Sequence, residues 1–257
     1  MDTIQILVVD LGGQYASLIP RALREIGVRS ALLPPQQALL WLKENHPRGI
    51  ILSGSNSSVH DTNAPQPPEN LFYHNVPVLG ICYGMHWLAK KFGGTVETIT
   101  DQSGFGVEEV VCNHRNRLFS QLSGAQTVIT SHGDSVTEIP SGFEECAYSL
   151  PSETCAGIIA VKRPIWGVQF HPEVPDTPRG KIILSNFVYN ICGGAKDWKP
   201  ADITVSIQNE TMTALNGRKA IIGFSGGVDS STLAAILAPT LQDNLLAVTI
   251  DAGNLRE

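Results

Sequence analysis

Four short apolar runs, spaced by amphipathic stretches, constrain this chain more than any other feature. Ile4 to Asp10, Val28 to Leu33, Gly49-Ile50-Ile51-Leu52 and Val76 to Ile81 are short, lack polar alternation and end in turn residues. Such runs read as strands buried on both faces. Helical stretches lie between and after them: Tyr15 to Ile26 stopped by Gly27, a segment with Leu39, Leu40 and Leu42 after Pro34-Pro35, and Met85 to Phe92. Strands alternating with helices give a parallel sheet with helices on both faces. Asp61 to Glu69, rich in proline and polar residues, reads as a surface loop. Val107 to Cys112, Thr127 to Thr130, Glu145 to Ser149, Ile158 to Val161 and Ile165 to Phe170 read as shorter strands joined by turns, an antiparallel extension. Gly180 to Ile191 reads as a closing helix stopped at Gly193-Gly194. The expected fold is α/β, a mixed, mostly parallel open sheet with helices on both faces.

A length of 257 residues exceeds one typical domain. Ala195 to Pro200 reads as a boundary, giving expected domains of 1–195 and 196–257. After it the pattern restarts: a helical lead-in over Asp202 to Leu215, a strand from Lys219 to Phe224, a loop from Ser225 to Ser231, a helix from Thr232 to Leu241 and a strand from Leu245 to Ile250. One strand-loop-helix-strand unit cannot cover both faces of its sheet, so this second α/β domain is expected to be incomplete, with apolar faces and edges uncovered.

A net charge of −6 without a basic block argues against nucleic acid as a partner. No apolar run reaches membrane-spanning length, and Met1-Asp2-Thr3 does not open a secretory leader, so a cytoplasmic protein is expected. The five cysteines, Cys82, Cys112, Cys146, Cys155 and Cys192, lack metal-site spacing, and no metal is expected on them. Only Cys82 has a special local sequence.

Gly80-Ile81-Cys82-Tyr83-Gly84 sits between a strand and a helix, the form of a nucleophile elbow. Glycines suit a turn whose neighbours leave no room for a Cβ. The helix N-terminus favours a thiolate, and the Tyr83 N–H would face a developing oxyanion. A cysteine beside a turn is otherwise a buried core residue. His171 and Glu173 in Phe170-His171-Pro172-Glu173 follow a strand at its carboxyl end, where α/β enzymes place their sites. A thiol nucleophile needs a base, and the base an orienting carboxylate.

Gly-Ile-Cys-Tyr-Gly-Met at 80–85 with Val-Gln-Phe-His-Pro-Glu-Val at 168–174 resembles the class I (triad) glutamine amidotransferases over about residues 4–193. Within them the likeness is to the guanosine monophosphate (GMP) synthetase family, carried by Asp10-Leu11-Gly12-Gly13-Gln14-Tyr15, Gly49 to Gly54, Ser131-His132-Gly133-Asp134, Thr177 to Gly180, Asn186-Phe187-Val188 and Ile191-Cys192-Gly193. The resemblance implies Cys82 as nucleophile, His171 as general base and then acid, and Glu173 as orienter. It implies oxyanion donors at Tyr83 and the Gly54-Ser55 segment, and glutamine contacts from His86, Ser131, Gly133 and Asp134. Three positions depart from that family: Gly54-Ser55-Asn56 stands for Gly-Gly-Pro, His86 for glutamine and Asp176 for histidine. A positive φ at Ser55 would cost about 1 kcal/mol or more.

Ser225-Gly226-Gly227-Val228-Asp229-Ser230-Ser231 lacks the lysine of a Walker A loop, yet its glycines and hydroxyls before a helix suit a pyrophosphate. It resembles the loops of ATP pyrophosphatases, and Asp251-Ala252-Gly253 resembles their adenine-side segment. Asp229 is placed to orient the loop or to approach Mg²⁺, and the resemblance implies ATP and Mg²⁺ for the full-length enzyme and no cofactor for glutamine hydrolysis. It implies xanthosine monophosphate (XMP) as the acceptor of ammonia. The XMP-binding and dimerisation parts of that family are expected beyond Glu257, so this chain alone is not expected to complete GMP synthesis. Two other readings compete: a γ-glutamyl-type cysteine hydrolase on the same sheet, and a catalytically weak regulatory module that keeps the fold.

Overall fold

The computed structural model describes residues 4–98 and 104–250. The chain divides into two compact units, Met1–Asp197 and Trp198–Glu257.

In the first unit β1 (Ile6–Val9), β2 (Ser30–Leu33), β3 (Gly49–Leu52) and β4 (Val78–Ile81) alternate with α1 (Leu18–Glu25), α2 (Pro35–Glu44) and α3 (Tyr83–Lys91). Every residue of β1, β3 and β4 is buried, as their unbroken apolar sequences require. β5 (Thr95–Thr98), β6 (Gly104–Cys112), β7 (Ala125–His132), β8 (Asp134–Glu138), β9 (Phe143–Ser149), β10 (Cys155–Ala160) and β11 (Ile165–Val168) follow. The main sheet has nine strands in the order β2-β1-β3-β4-β11-β10-β9-β6-β7. From β2 to β11 neighbours run parallel. From β11 to β7 they run antiparallel, so the sheet is mixed. β5 and β8 form a small separate antiparallel sheet.

Alternate side chains of the strands point to opposite faces. Ile6 and Val8 join Ile19 and Leu23 of α1 in one core, with Phe170, Ile183 and Phe187. Leu7 and Val9 join Leu42 of α2 and Leu88 of α3 in the other. Three expectations shift. α1 begins at Leu18, after a turn in which the Ala16 N–H donates to the Gly13 carbonyl at 3.1 Å. The strand expected to reach Phe170 ends at Val168. The closing helix is α4 (Gly180–Ser185) followed by a π-helical turn, Asn186–Ile191. Asn186 is buried there, and its amide donates to the carbonyls of Leu118 at 3.0 Å and Ser120 at 2.8 Å, which pins the turn's position.

The second unit contains α5 (Pro200–Leu215), β12 (Ala220–Gly223), α6 (Val228–Leu241) and β13 (Leu245–Val248), with the two strands parallel. Gln208 Nε2 of α5 donates to the Ile236 carbonyl of α6 at 2.8 Å. Ile221, Leu246 and Val248 are exposed on its sheet. α6 starts at Val228, four residues earlier than expected, because Gly227 caps it in an extended conformation and its carbonyl accepts the Ser231 N–H at 3.1 Å.

Candidate active site

β1, β3, β4 and β11 deliver their following residues to one end of the sheet, the carboxyl end of the parallel strands. Cys82 directly follows β4 and caps α3 with φ 52° and ψ −109°. This is a left-handed, strained conformation for a non-glycine residue, of the kind that collects at active sites. The flanking glycines make it feasible. A Cβ on Gly80 would lie 2.5 Å from the Gly84 backbone, and a Cβ on Gly84 would lie 2.6 Å from the Leu52 carbonyl oxygen. The sheet and α3 thus approach more closely than any side chain allows. Tyr83 is the first residue of α3, so its N–H has no intrahelical acceptor. Its hydroxyl donates to the Pro65 carbonyl at 2.8 Å, leaving the backbone as its contribution at Cys82.

Beyond β11 the chain presents His171. Its Nδ1–H donates to Glu173 Oε1 at 2.7 Å, and both residues are buried. Burial alone would lower the proton affinity of His171, but hydrogen bonds with Cys82 and Glu173 outweigh it and raise the pKa to about 10. The Cys82 thiol also lies 3.6 Å from the Ser131 carbonyl oxygen. Cys82, His171 and Glu173 are therefore one contiguous cluster, with Gly54 against it: a Cβ there would sit 3.1 Å from His171 Cε1 and 3.8 Å from Cys82 Cβ.

The Gly54-Ser55 segment departs from the sequence expectation. Among the described residues the non-glycines with positive φ are Asn75, Cys82, Gln121, Glu153, Asn216 and Gln242, and Ser55 is not among them. The condition for strain at Ser55, a positive φ, is not met. The segment is held from behind instead. Ser53 Oγ donates to the Gly54 carbonyl at 2.9 Å and accepts the Leu11 N–H at 2.8 Å. In a trans peptide the Ser55 N–H then points the opposite way from the Gly54 carbonyl, within the same plane.

A cavity of about 280 Å³ opens beside Cys82. Ser55, Tyr83, His86, Ser131, Gly133 and Asp134, all expected from the sequence, line it with Ser58 and His132. Asp134 accepts hydrogen bonds from Ser58 Oγ at 2.5 Å and Thr98 Oγ1 at 2.6 Å. Partial burial raises its pKa, and these two bonds turn the net shift downward, so the cavity wall carries a carboxylate. His86 is buried and pushed down to about 4 by desolvation, so it is neutral near pH 7. Its Nε2–H donates to Gln169 Oε1 at 2.7 Å.

Sequence reasoning missed several supporting residues. Thr177 Oγ1 donates to the His171 carbonyl at 2.8 Å and accepts the Ile129 N–H at 3.0 Å, fixing the base's backbone to β7. Tyr15 sets its ring edge-on to His171, with centroids 4.9 Å apart. Gln169 carried a signal: it lies in the same motif as His171, yet is buried and polar beside an apolar strand.

In the second unit Ser225, Gly226 and Gly227 form the loop, and Val228, Asp229, Ser230 and Ser231 lie in the first turn of α6 rather than before it. Gly226 has φ 74° with nothing near its Cβ position. Ser230 Oγ lies 3.1 Å from Ser225 Oγ and donates to the Gly227 carbonyl at 3.2 Å. Asp251-Ala252-Gly253 lie outside the described residues.

A cysteine on a strained strand-helix elbow, facing a buried His-Glu pair at the carboxyl end of a parallel sheet, is a cysteine hydrolase arrangement. Residues 7–191 match the glutamine amidotransferase class-I family, and the chain belongs to it. Among its relatives, the GMP synthase [glutamine-hydrolyzing] of Haemophilus ducreyi is 42% identical over 259 residues, covering 98% of this chain and 49% of that protein. That of Pseudomonas putida is 41% identical over 260 residues, with the same two shares. That of Treponema denticola is 37% identical over 255 residues, covering 99% of this chain and 48% of that protein. The chain thus spans about half the length of these curated relatives. A GMP synthase subunit protein of Thermoplasma acidophilum, known from its crystal structure, is 30% identical with a TM-score of 0.63, and the match covers 75% of this chain and 96% of that one.

Proposed function

We propose that this chain hydrolyses the side-chain amide of glutamine at Cys82 and supplies the ammonia for amination of XMP to GMP. The observation that carries the reading is Cys82 at φ 52° on its glycine-flanked elbow, with Gly54 against both it and a His171 that Glu173 holds at 2.7 Å.

The Cys82 sulfur attacks the amide carbon, and the carbonyl oxygen becomes an oxyanion facing the N–H groups of Tyr83 and Ser55. His171 gives its proton to the departing nitrogen, which leaves as ammonia, and a thioester remains. His171 then takes a proton from water. The hydroxide forms the new C–O bond, the C–S bond breaks, and glutamate leaves. Glu173 holds the imidazole orientation throughout and stabilises its charge. In the cavity, the Asp134 carboxylate suits the α-ammonium group of glutamine, with Ser131, Gly133 and His86 along the wall. None of these steps needs a cofactor.

The second unit is read as the start of an ATP pyrophosphatase domain, so that the ammonia-using step is an ATP-dependent ligation. The residues at the α6 N-terminus fit a pyrophosphate: Ser225, Gly226 and Gly227 leave open space at a left-handed glycine, and the first-turn N–H groups of Val228, Asp229 and Ser230 lack intrahelical acceptors. ATP with Mg²⁺ would activate the XMP carbonyl oxygen as a leaving group, with Asp229 toward the metal. XMP and ATP are the partners of the full-length protein in this reading. Five unpaired cysteines suit a reducing cytoplasm, and no helix among the described residues is long and apolar enough to cross a membrane.

The deciding experiment is glutamate release from glutamine, with Cys82→Ala as control. Turnover that disappears in the control supports the reading. A folded chain that cleaves γ-glutamyl peptides but not glutamine supports the γ-glutamyl hydrolase instead, and a folded chain inert to both supports the regulatory module.

A further inference from the structure

The parallel ladder between β4 and β11 ends at the pair Ile81 and Val168. The Cys82 N–H adds a last bond to the Val168 carbonyl at 2.8 Å. Beyond it the two arms part. One turns at Cys82 into α3. The other runs on through Gln169 and Phe170 to His171, and its backbone bonds elsewhere: the Gln169 N–H to Ala156 at 3.0 Å and the His171 N–H to Ile129 at 2.9 Å. The nucleophile and the base therefore lie just past the backbone bond that registers their strands.

A side-chain hydrogen bond spans this gap. His86, one helical turn after Cys82, donates from Nε2 to Gln169 Oε1 at 2.7 Å, and both residues are 3% exposed. We propose that the His86–Gln169 hydrogen bond is a positioning device that registers Cys82 against His171, with Gln169 and His86 as its two halves. The proposal rests on the reading of Cys82 and His171 as nucleophile and base.

The pair is a costly way to fill a core. The Gln169 Nε2 group is buried with no partner among the described residues, and leaving such a group unmet costs more than the bond it accompanies returns. Leucine at either place would bury similar volume without that cost, so geometry rather than stability accounts for the pair. The imidazole is neutral near pH 7, so it adds no charge to compete with the proton held by His171. His86 also lines the Cys82 cavity, and the competing role is a plain substrate contact.

Alkylation of Cys82 by iodoacetamide at pH 6 separates the two roles, because it needs His171 in place but no glutamine. Alkylation of a cysteine at that pH depends on the groups set around its sulfur. It is measured in the intact chain with Cys82→Ala as background, beside kcat and KM for glutamine. His86→Leu and Gln169→Met are each expected to slow alkylation on the order of tenfold and to lower kcat about 100-fold, with a smaller change in KM. His86→Gln restores a donor and is expected to recover most of both rates. The double variant is expected to be no slower than the worse single. If His86→Leu fails to fold, Gln169→Met carries the test. Unchanged alkylation in a folded Gln169→Met or His86→Leu chain overturns the proposal, as does a loss confined to KM, which makes His86 a substrate contact. Fast wild-type alkylation without glutamine turnover would sink the glutaminase reading and leave this proposal standing.

Discussion

Cys82 occupies a backbone conformation that costs on the order of 1–3 kcal/mol for a side chain other than glycine's. The conformation persists because Gly80 and Gly84 let the β4 strand, Leu52 of β3 and α3 pack in direct backbone contact. Gly80→Ala should destabilise the first unit by about 1–3 kcal/mol, since its Cβ meets backbone rather than a yielding side chain. A shift in the urea midpoint at unchanged m-value checks it. Ser55 predicts the reverse of what its family comparison suggests. Its φ is not left-handed, so Ser55→Gly relieves nothing. It loses the Ser57 N–H bond to Ser55 Oγ at 3.2 Å and gains unfolded-state entropy. A loss of up to about 1 kcal/mol is expected, read from the same urea titration; a gain in stability would show that Ser55 is strained after all. His86 gives a pH dependence. Its proton affinity falls from 6.5 unfolded to about 4 folded, so between those values the unfolded chain binds more protons and stability rises with pH. Acidification from pH 6.5 to pH 4 should remove about 3 kcal/mol through this residue, and His86→Gln should flatten that part of the stability profile.

At the scale of elements, the segment after β11 shows how much the sequence can and cannot reveal. Its His-Pro-Glu spacing picked out a histidine and a carboxylate as candidate base and orienter, and the structure sets the two side chains 2.7 Å apart. What holds them was invisible. Gly180 at the start of α4 packs so tightly that a Cβ would lie 1.9 Å from the Pro172 carbonyl oxygen, and Thr177 bonds the His171 backbone. These contacts join parts of the chain that only the fold brings together, and a threonine or glycine in a loop carries no sign of them. Gly180→Ala should therefore displace the Pro172-Glu173 turn and lower kcat about 100-fold, while Thr177→Val should cost about 1–3 kcal/mol through the orphaned Ile129 N–H. Glutaminase assays beside thermal melts distinguish the two outcomes. β5 and β8 escaped the reading for a related reason. Thr-Val-Glu-Thr and Asp-Ser-Val-Thr-Glu each hold a single strong apolar residue, Val96 and Val136, so period-two patterning was too weak to register. The early start of α6 was hidden by its own function-like sequence, since Val-Asp-Ser-Ser is as good a first helical turn as it is a loop.

At the scale of the molecule, buried apolar residues are distributed unequally between the two units. Both large core clusters are drawn from residues between Ile6 and Cys192. In the second unit, Ile222, Leu237 and Leu241 are the buried hydrophobic residues among those described, while Ile221, Val228, Leu246 and Ile250 are exposed. Three buried apolar side chains among the described residues are a small core for a segment of this length. A polypeptide of residues 1–197 should consequently fold with the melting temperature of the intact chain. It should also retain the Cys82 alkylation rate, since Cys82, His171, Glu173, His86 and Gln169 all lie within it. Residues 198–257 expressed separately should exchange their amide hydrogens almost as fast as an unfolded chain. Slow exchange across β12 and α6 in the isolated piece would show that its hydrogen bonds, rather than its sparse core, suffice to hold it.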